Sequence, residues 1–150
     1  MVRRAGPADA DAIGRMLHDF NVEFEEPTPG AAALADRMRE LLPADEATVF
    51  LAGDEPDGLV VLRFRPSLYA EALECYVAEL YVRPGRRGNG LGRALMEAAI
   101  EEARARGANY IDLGTSEDDV AARALYEKLG FTNREGRPDG PLMYVYEREL

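Results

Sequence analysis

The chain has 150 residues, enough for one domain with a substantial buried core and too few to require a second. Its 28 acidic and 18 basic side chains leave a formal charge of -10, which argues against nucleic acid or an anionic membrane as a partner of the whole molecule. A single cysteine, Cys75, and a single histidine, His18, exclude a disulfide framework and leave a multi-ligand zinc centre or a Ser-His-Asp triad short of side chains.

In chain order, Val2 to Arg4 predicts a short strand. Gly6, Pro7 and Asp9 then open a helix with Ile13, Leu17, Phe20 and Phe24 at helical spacing, stopped by "EEPTPG". A second helix fits "AAALADRMRELL", with Leu34, Met38, Leu41 and Leu42 on one face, and ends before Pro43. "ATVFLAG" and "GLVVLRFRP" flank the turn-like "DEPDG" and predict a β-hairpin, followed by a long strand within "ALECYVAELYV". From Gly90 to Arg106 the pattern is helical again, with Leu91, Leu95, Ala98 and Ala99 inward and Gly107 as the stop. "NYIDLG" predicts a short buried strand. "SEDDVAARALYEKLGF" predicts a last helix: Ser116 and Asp119 have the spacing of a capping box, and Gly130 suits a left-handed C-terminal position. "PLMYVYEREL" predicts a closing strand, open to solvation, to pairing within the domain, or to a homodimer.

The order is β-α-α-β-β-β-α-β-α with one or two further strands, without repeats or linkers, and residues 1–150 read as a single domain. No apolar run follows the basic residues at the N-terminus, and no stretch reaches membrane-spanning length. A soluble cytoplasmic protein with no membrane partner is expected.

The acidic chain carries one contrasting stretch. Residues 83–93 hold Arg83, Arg86, Arg87 and Arg93 together with Gly85, Gly88, Gly90 and Gly92, and no acid. A strand ending at Val82, a glycine-rich turn and a helix starting near Gly90 present unpaired backbone N–H groups at the positive end of a helix dipole. Glycine lets the backbone approach phosphate oxygens, and arginine adds charge-assisted hydrogen bonds. Taken singly, such residues read as a flexible turn in solvent; their concentration at one helix start points to a pyrophosphate cradle. A Walker loop is excluded, because the segment has no lysine or hydroxyl. A dinucleotide fingerprint needs a third glycine where Arg93 stands, although Asp112 lies where its ribose acid would be.

The run Arg87-Gly88-Asn89-Gly90-Leu91-Gly92 resembles the acyl-CoA pyrophosphate motif of the GNAT superfamily of N-acyltransferases, Gln/Arg-x-x-Gly-x-Gly/Ala. "ELYVRP" resembles the family's central strand and "ALYEKLGF" its later helix with a tyrosine, and the element order agrees over nearly the whole chain. The resemblance implies an α+β fold, layered α/β/α around a mixed, mostly antiparallel sheet. It also implies acetyl-CoA, or a close relative, as cosubstrate, and no metal. The residues expected to contact the cosubstrate are Leu80, Tyr81 and Val82, through strand backbone, and Arg87, Gly88, Asn89, Gly90, Leu91 and Gly92; Arg86 and Arg93 would add supporting charge.

In such an enzyme a primary amine attacks the thioester directly. Tyr126 matches the family position whose hydroxyl can donate to the departing sulfur; from spacing alone it is a half-buried helical tyrosine. Glu79 alternates with Val77 and Tyr81 in an apolar strand, where burial would raise its pKa toward that of a useful base. The alternative is a bulge that turns Glu79 to solvent or to an arginine. The oxyanion donor would be the amide of Leu80 or Tyr81. Asp119 stands where the family often has a CoA-contacting asparagine, and reads as a helix cap. For the acceptor, a small-molecule or peptide amine, Glu23, Glu25 and Glu26 in "NVEFEEPTPG" would suit a cation but also read as a solvated helix end. The loop at 134–141 is a further substrate-side element by position. Two other functions stay open: a non-catalytic acyl-CoA-binding module on the same fold, and an NAD-binding oxidoreductase.

Overall fold

Five segments rich in β-branched and aromatic residues pair into one sheet: β1 (Val2–Arg4), β2 (Thr48–Ala52), β3 (Gly58–Pro66), β4 (Leu73–Val82) and β5 (Ala108–Leu113). Their spatial order equals their chain order, β1-β2-β3-β4-β5. Pairs β1–β2, β2–β3 and β3–β4 are antiparallel, and β4–β5 is parallel. The parallel pair requires a crossover, which α3 (Leu91–Ala105) supplies. The computed structural model describes residues 1–150. It divides into two compact units, Met1–Leu113 and Gly114–Leu150.

In the first unit the period-2 alternation of the strands feeds two layers. Val49, Leu51, Leu59, Val61 and Tyr81 form one core with Ile13, Met16 and Leu17 of α1 (Ala10–Glu23) and Ala35 and Met38 of α2 (Ala31–Leu41). Val60, Leu62, Cys75 and Val77 alternate onto the opposite face, where α3 contributes buried Leu95, Met96, Ala99 and Ala103. Helices on both faces of a mostly antiparallel sheet give the expected α+β layering. Cys75 is fully buried, and burial pushes its thiol up to about 11, so it behaves as a small core residue.

In the second unit α4 (Val120–Lys128) carries Tyr126. Its cap is Asp119, whose carboxylate accepts from the Ala122 amide at 3.2 Å, while the Ser116 hydroxyl donates to Asp118. The capping box expected from Ser116 therefore does not form, because the helix starts one turn later. Gly130 adopts φ 91°, as its position requires. The closing strand expected from "PLMYVYEREL" is absent. An isolated antiparallel bridge joins Arg134 to Leu142, and the Met143 amide bonds to the Asn133 carbonyl at 2.7 Å. Beyond Met143 no backbone hydrogen bond forms, so the alternating apolar pattern has no ladder to join and Tyr144, Val145 and Tyr146 are exposed.

Candidate active site

The sheet is irregular where the candidate base stands. Val61 faces Glu79, while Leu62 faces Val77, so Ala78 is an extra residue on β4. Val61 and Leu62 point to opposite faces, so Glu79 and Val77 do as well. The alternation that would group Glu79 with Val77 and Tyr81 is broken by this bulge. Glu79 shares the α1–α2 face with Tyr81, whereas Val77 lies in the α3 layer. The bulge does not send Glu79 to an arginine: its carboxylate is half-buried, has no hydrogen-bond or ion-pair partner, and is raised above the ordinary carboxylate range by that burial.

The same position marks where the sheet opens. Pairing of β4 with β5 ends at Val77 and Leu113, so Ala78 to Val82 are bonded on the β3 side alone. The Arg83 amide donates to the Asp57 carbonyl on the β3 side at 2.8 Å. By alternation Tyr81 also turns its backbone toward β3, whereas Leu80 and Val82 turn theirs to the open side. Consistently, the Val82 carbonyl accepts from Arg87 Nε at 2.8 Å. Of the two amides expected as oxyanion donors, Leu80 has the free one and Tyr81 spends its own in the ladder.

After β4 a single 3-10 turn, Pro84–Arg86, leads to Gly88 and Gly90, with φ of 82° and 81°. Gly90 caps α3 without any side-chain bond, and the amides of Gly88, Asn89, Gly90, Leu91, Gly92 and Arg93 find no acceptor in the chain. A side chain added at Gly88 or Gly90 would meet no atom within 4 Å. Glycine is required here by the left-handed backbone, and the space above it is open. Six free amides at a helix start fit a pyrophosphate.

The arginines of this loop do not hang in solvent. Arg87 donates through both terminal nitrogens to Glu23 at 2.7 and 2.8 Å, and its guanidinium lies 5.7 Å from the Tyr81 ring centre. Phe20 stacks on the other partner of that contact, with ring centres of Phe20 and Tyr81 5.1 Å apart. Asp57, 5% exposed, pairs with Arg83 and stands 3.5 Å from Arg86, and Arg93 pairs with Glu97 along α3. The side chains thus fasten the loop to α1 and to the β2–β3 turn, and the backbone amides of the loop remain free. Glu23 and Asp57 were not visible as partners in the sequence, since Glu23 read as a helix end and Asp57 as part of a turn. Of the acidic cluster only Glu25 and Glu26 remain unpaired.

Tyr126 lies in the second unit. It is 9% exposed, packs edge-on against Phe131 with ring centres 6.0 Å apart, and its hydroxyl has no partner within the protein. Burial first, and then the nearby Asp119 carboxylate, push the phenol up to about 12, so it is a proton donor throughout the neutral range. No group of three or more His, Cys, Asp or Glu side chains is arranged to hold a metal ion, and no helix is long and apolar enough to cross a membrane.

A bulged strand that parts from its parallel neighbour, ending in an anion cradle at the next helix start, fits the acyl-CoA-dependent acyltransferase class of α+β domains that the sequence resembles. The family model described as "Acetyltransferase (GNAT) family" matches residues 13–131, and the chain belongs to that family, whose acyl donor is acetyl-CoA. Two mycothiol acetyltransferases are similar. That of Beutenbergia cavernae is 37% identical over 87% of this chain and 44% of its own length. That of Renibacterium salmoninarum is 34% identical over 80% and 36%. The chain therefore spans less than half the length of these relatives. A crystal structure of a proposed acetyltransferase from Arthrobacter sp. FB24 superposes with TM-score 0.91 at 46% identity, covering 100% of this chain and 96% of that one. A thialysine N-epsilon-acetyltransferase of Caenorhabditis elegans is 26% identical over 85% of this chain and 79% of its own.

Proposed function

We propose that residues 1–150 act as one catalytic domain that transfers an acetyl group from acetyl-CoA to a primary amine by direct attack. The observation that carries this reading is the half-buried Glu79 at the β4 bulge, beside a stretch of free strand backbone that runs into the glycine-rich cradle. Acetyl-CoA supplies an activated thioester. Gly88 to Gly92 and the backbone of Leu80 and Val82 bind and align it, and the Leu80 amide donates to the carbonyl oxygen under attack. Glu79, directly or through water, accepts a proton from the incoming ammonium at its carboxylate. The Tyr126 hydroxyl donates to the departing sulfur. A free thiol ionises near ~8.5, and the phenol at about 12 remains protonated while it does so.

Relatives named for mycothiol and for the ε-amine of thialysine support an amine-bearing acceptor, a small molecule or a peptide. Exposed Glu25 and Glu26 support a cationic approach of that amine. A cytoplasmic location, and a homodimer formed through exposed Tyr144, Val145 and Tyr146, complete the proposal. The test is CoA release over an amine panel by wild type and Tyr126→Phe. Because the hydroxyl makes no internal hydrogen bond, the variant keeps its stability and loses about 100-fold in kcat. An unchanged kcat would remove Tyr126 from the chemistry. Tight acetyl-CoA binding without release to any amine would favour the non-catalytic module.

A further inference from the structure

On the α1–α2 face, beyond the bulge, the β3–β4 ladder carries an open cavity of about 310 Å³ lined by Glu46, Arg63, Phe64, Arg65, Tyr76 and Ala78. Three of its members follow from the register: Arg63 faces Tyr76, and Ala78 is the bulged residue next to Glu79. The cavity therefore adjoins the candidate base on the same face of the sheet.

One of its arginines differs from the others of the sheet. Four arginines lie in strands. Arg3 pairs with Asp9, Arg4 with Glu102, and Arg65 with Glu74 at 2.8 Å. Arg63 alone among them has no acidic partner, although acids outnumber bases 28 to 18. Glu46 lines the same cavity and forms no ion pair with Arg63. An exposed guanidinium without an acidic partner, at the wall of an open cavity beside the candidate base, has the donor geometry to take a carboxylate bidentately. With Glu46 also present, a single negative charge suits the cavity better than a dianion.

We propose that this cavity holds a carboxylate of the acceptor on Arg63, so that the acceptor is an amine that also carries a carboxylate: an amino acid or a short peptide. This rests on the acyl-transfer reading above. The rows Val61–Glu79 and Arg63–Tyr76 are two residues apart on β3, roughly 7 Å. Two extended residues span at most about 7 Å, so a dipeptide reaches from Glu79 with its amine to Arg63 with its terminal carboxylate.

The experiment compares kcat/KM for glycylglycine, its C-terminal amide and O-phosphoethanolamine, together with lysine and lysinamide, in wild type, Arg63→Gln and Arg63→Lys. Arg104→Gln, an exposed arginine on α3, is the charge control. Acetyl-CoA binding and thermal midpoint are recorded for each. The expected result is at least a tenfold preference of wild type for the carboxylate over the amide, abolished in Arg63→Gln through KM with kcat retained. Arg63→Lys should restore part of it, and Arg104→Gln should leave it intact. Equal rates for acid and amide in wild type, or a preference that survives Arg63→Gln at unchanged stability, overturns the inference and leaves the acyl-transfer reading standing. A preference for the phosphate overturns the carboxylate assignment. Acetyl-CoA binding without acetylation of any amine overturns the parent reading and this inference with it.

Discussion

Glu79 is where a single residue has two measurable consequences. Burial raises its carboxyl above the ordinary range, and the proposed reaction uses the ionised form, so kcat/KM should fall as pH drops through the raised value. Glu79→Gln should remove this acid limb; a profile of unchanged shape would put the base elsewhere. Stability moves the other way. A carboxylate with a raised folded-state pKa contributes stability below its unfolded value, and that contribution is lost as pH rises through the folded one. Glu79→Gln should therefore be more stable than wild type at neutral pH, by about 1.4 kcal/mol per unit of the raise, and the gain should vanish in acid. The candidacy of Glu79 was legible in the sequence, as one of two acids, with Glu74, in an otherwise apolar strand. Its surroundings were not: the expected grouping with Val77 assumed unbroken alternation, and a bulge can be seen only when the partner strand is in place. Arg87 behaves likewise, since its fork is matched by Glu23, 64 residues away in the chain.

At the scale of elements, two glycines separate contact from conformation. In α1, a Cβ on Gly14 would stand 2.5 Å from the Ala31 carbonyl oxygen and 2.7 Å from the Ala35 amide nitrogen of α2. Alanine gains ~1 kcal/mol of helix propensity there and incurs roughly 1–3 kcal/mol of overpacking. Gly14→Ala should thus be destabilised on balance in a urea melt with little change in KM for acetyl-CoA; a stabilised variant would mean that the two helices separate at low cost. Gly90 has φ 81° and no neighbour. Gly90→Ala should cost about 1–2 kcal/mol through left-handed strain and also raise KM for acetyl-CoA, because the cradle amides turn. Elements with strong period and flanking stops were legible nearly to the residue, as in Gly58–Pro66. "PLMYVYEREL" was not, because alternation states only a readiness to pair, and no ladder receives it here.

For the whole molecule, ligand linkage is the relevant measurement. Acetyl-CoA at 100 times its Kd should stabilise the native state by roughly 2.7 kcal/mol, or about 5–11 °C in thermal midpoint for a chain of this size. CoA should act similarly and NAD should not. A shift with NAD alone would revive the dinucleotide reading, in spite of Arg93 at its third glycine position. The net charge of -10 repels an anion at long range, and the loop arginines are paired with Glu23, Asp57 and Glu97, so the local attraction at the loop rests on its free amides and the positive end of α3. The sequence by itself determined the order of elements from β1 to α4, the glycine-rich turn and the family resemblance, and it nominated Glu79 and Tyr126 as candidates. The element order and the turn rest on spacing within short windows, where backbone sterics and periodicity act, and the choice of Tyr126 rests on the resemblance. Only the tertiary structure decided that Leu80 and not Tyr81 has a free amide, that the loop arginines pair within the protein while the loop amides stay free, and that Arg63 stands without an acidic partner near Glu79. Those depend on strand register and on charges brought together from distant parts of the chain, which no local window contains.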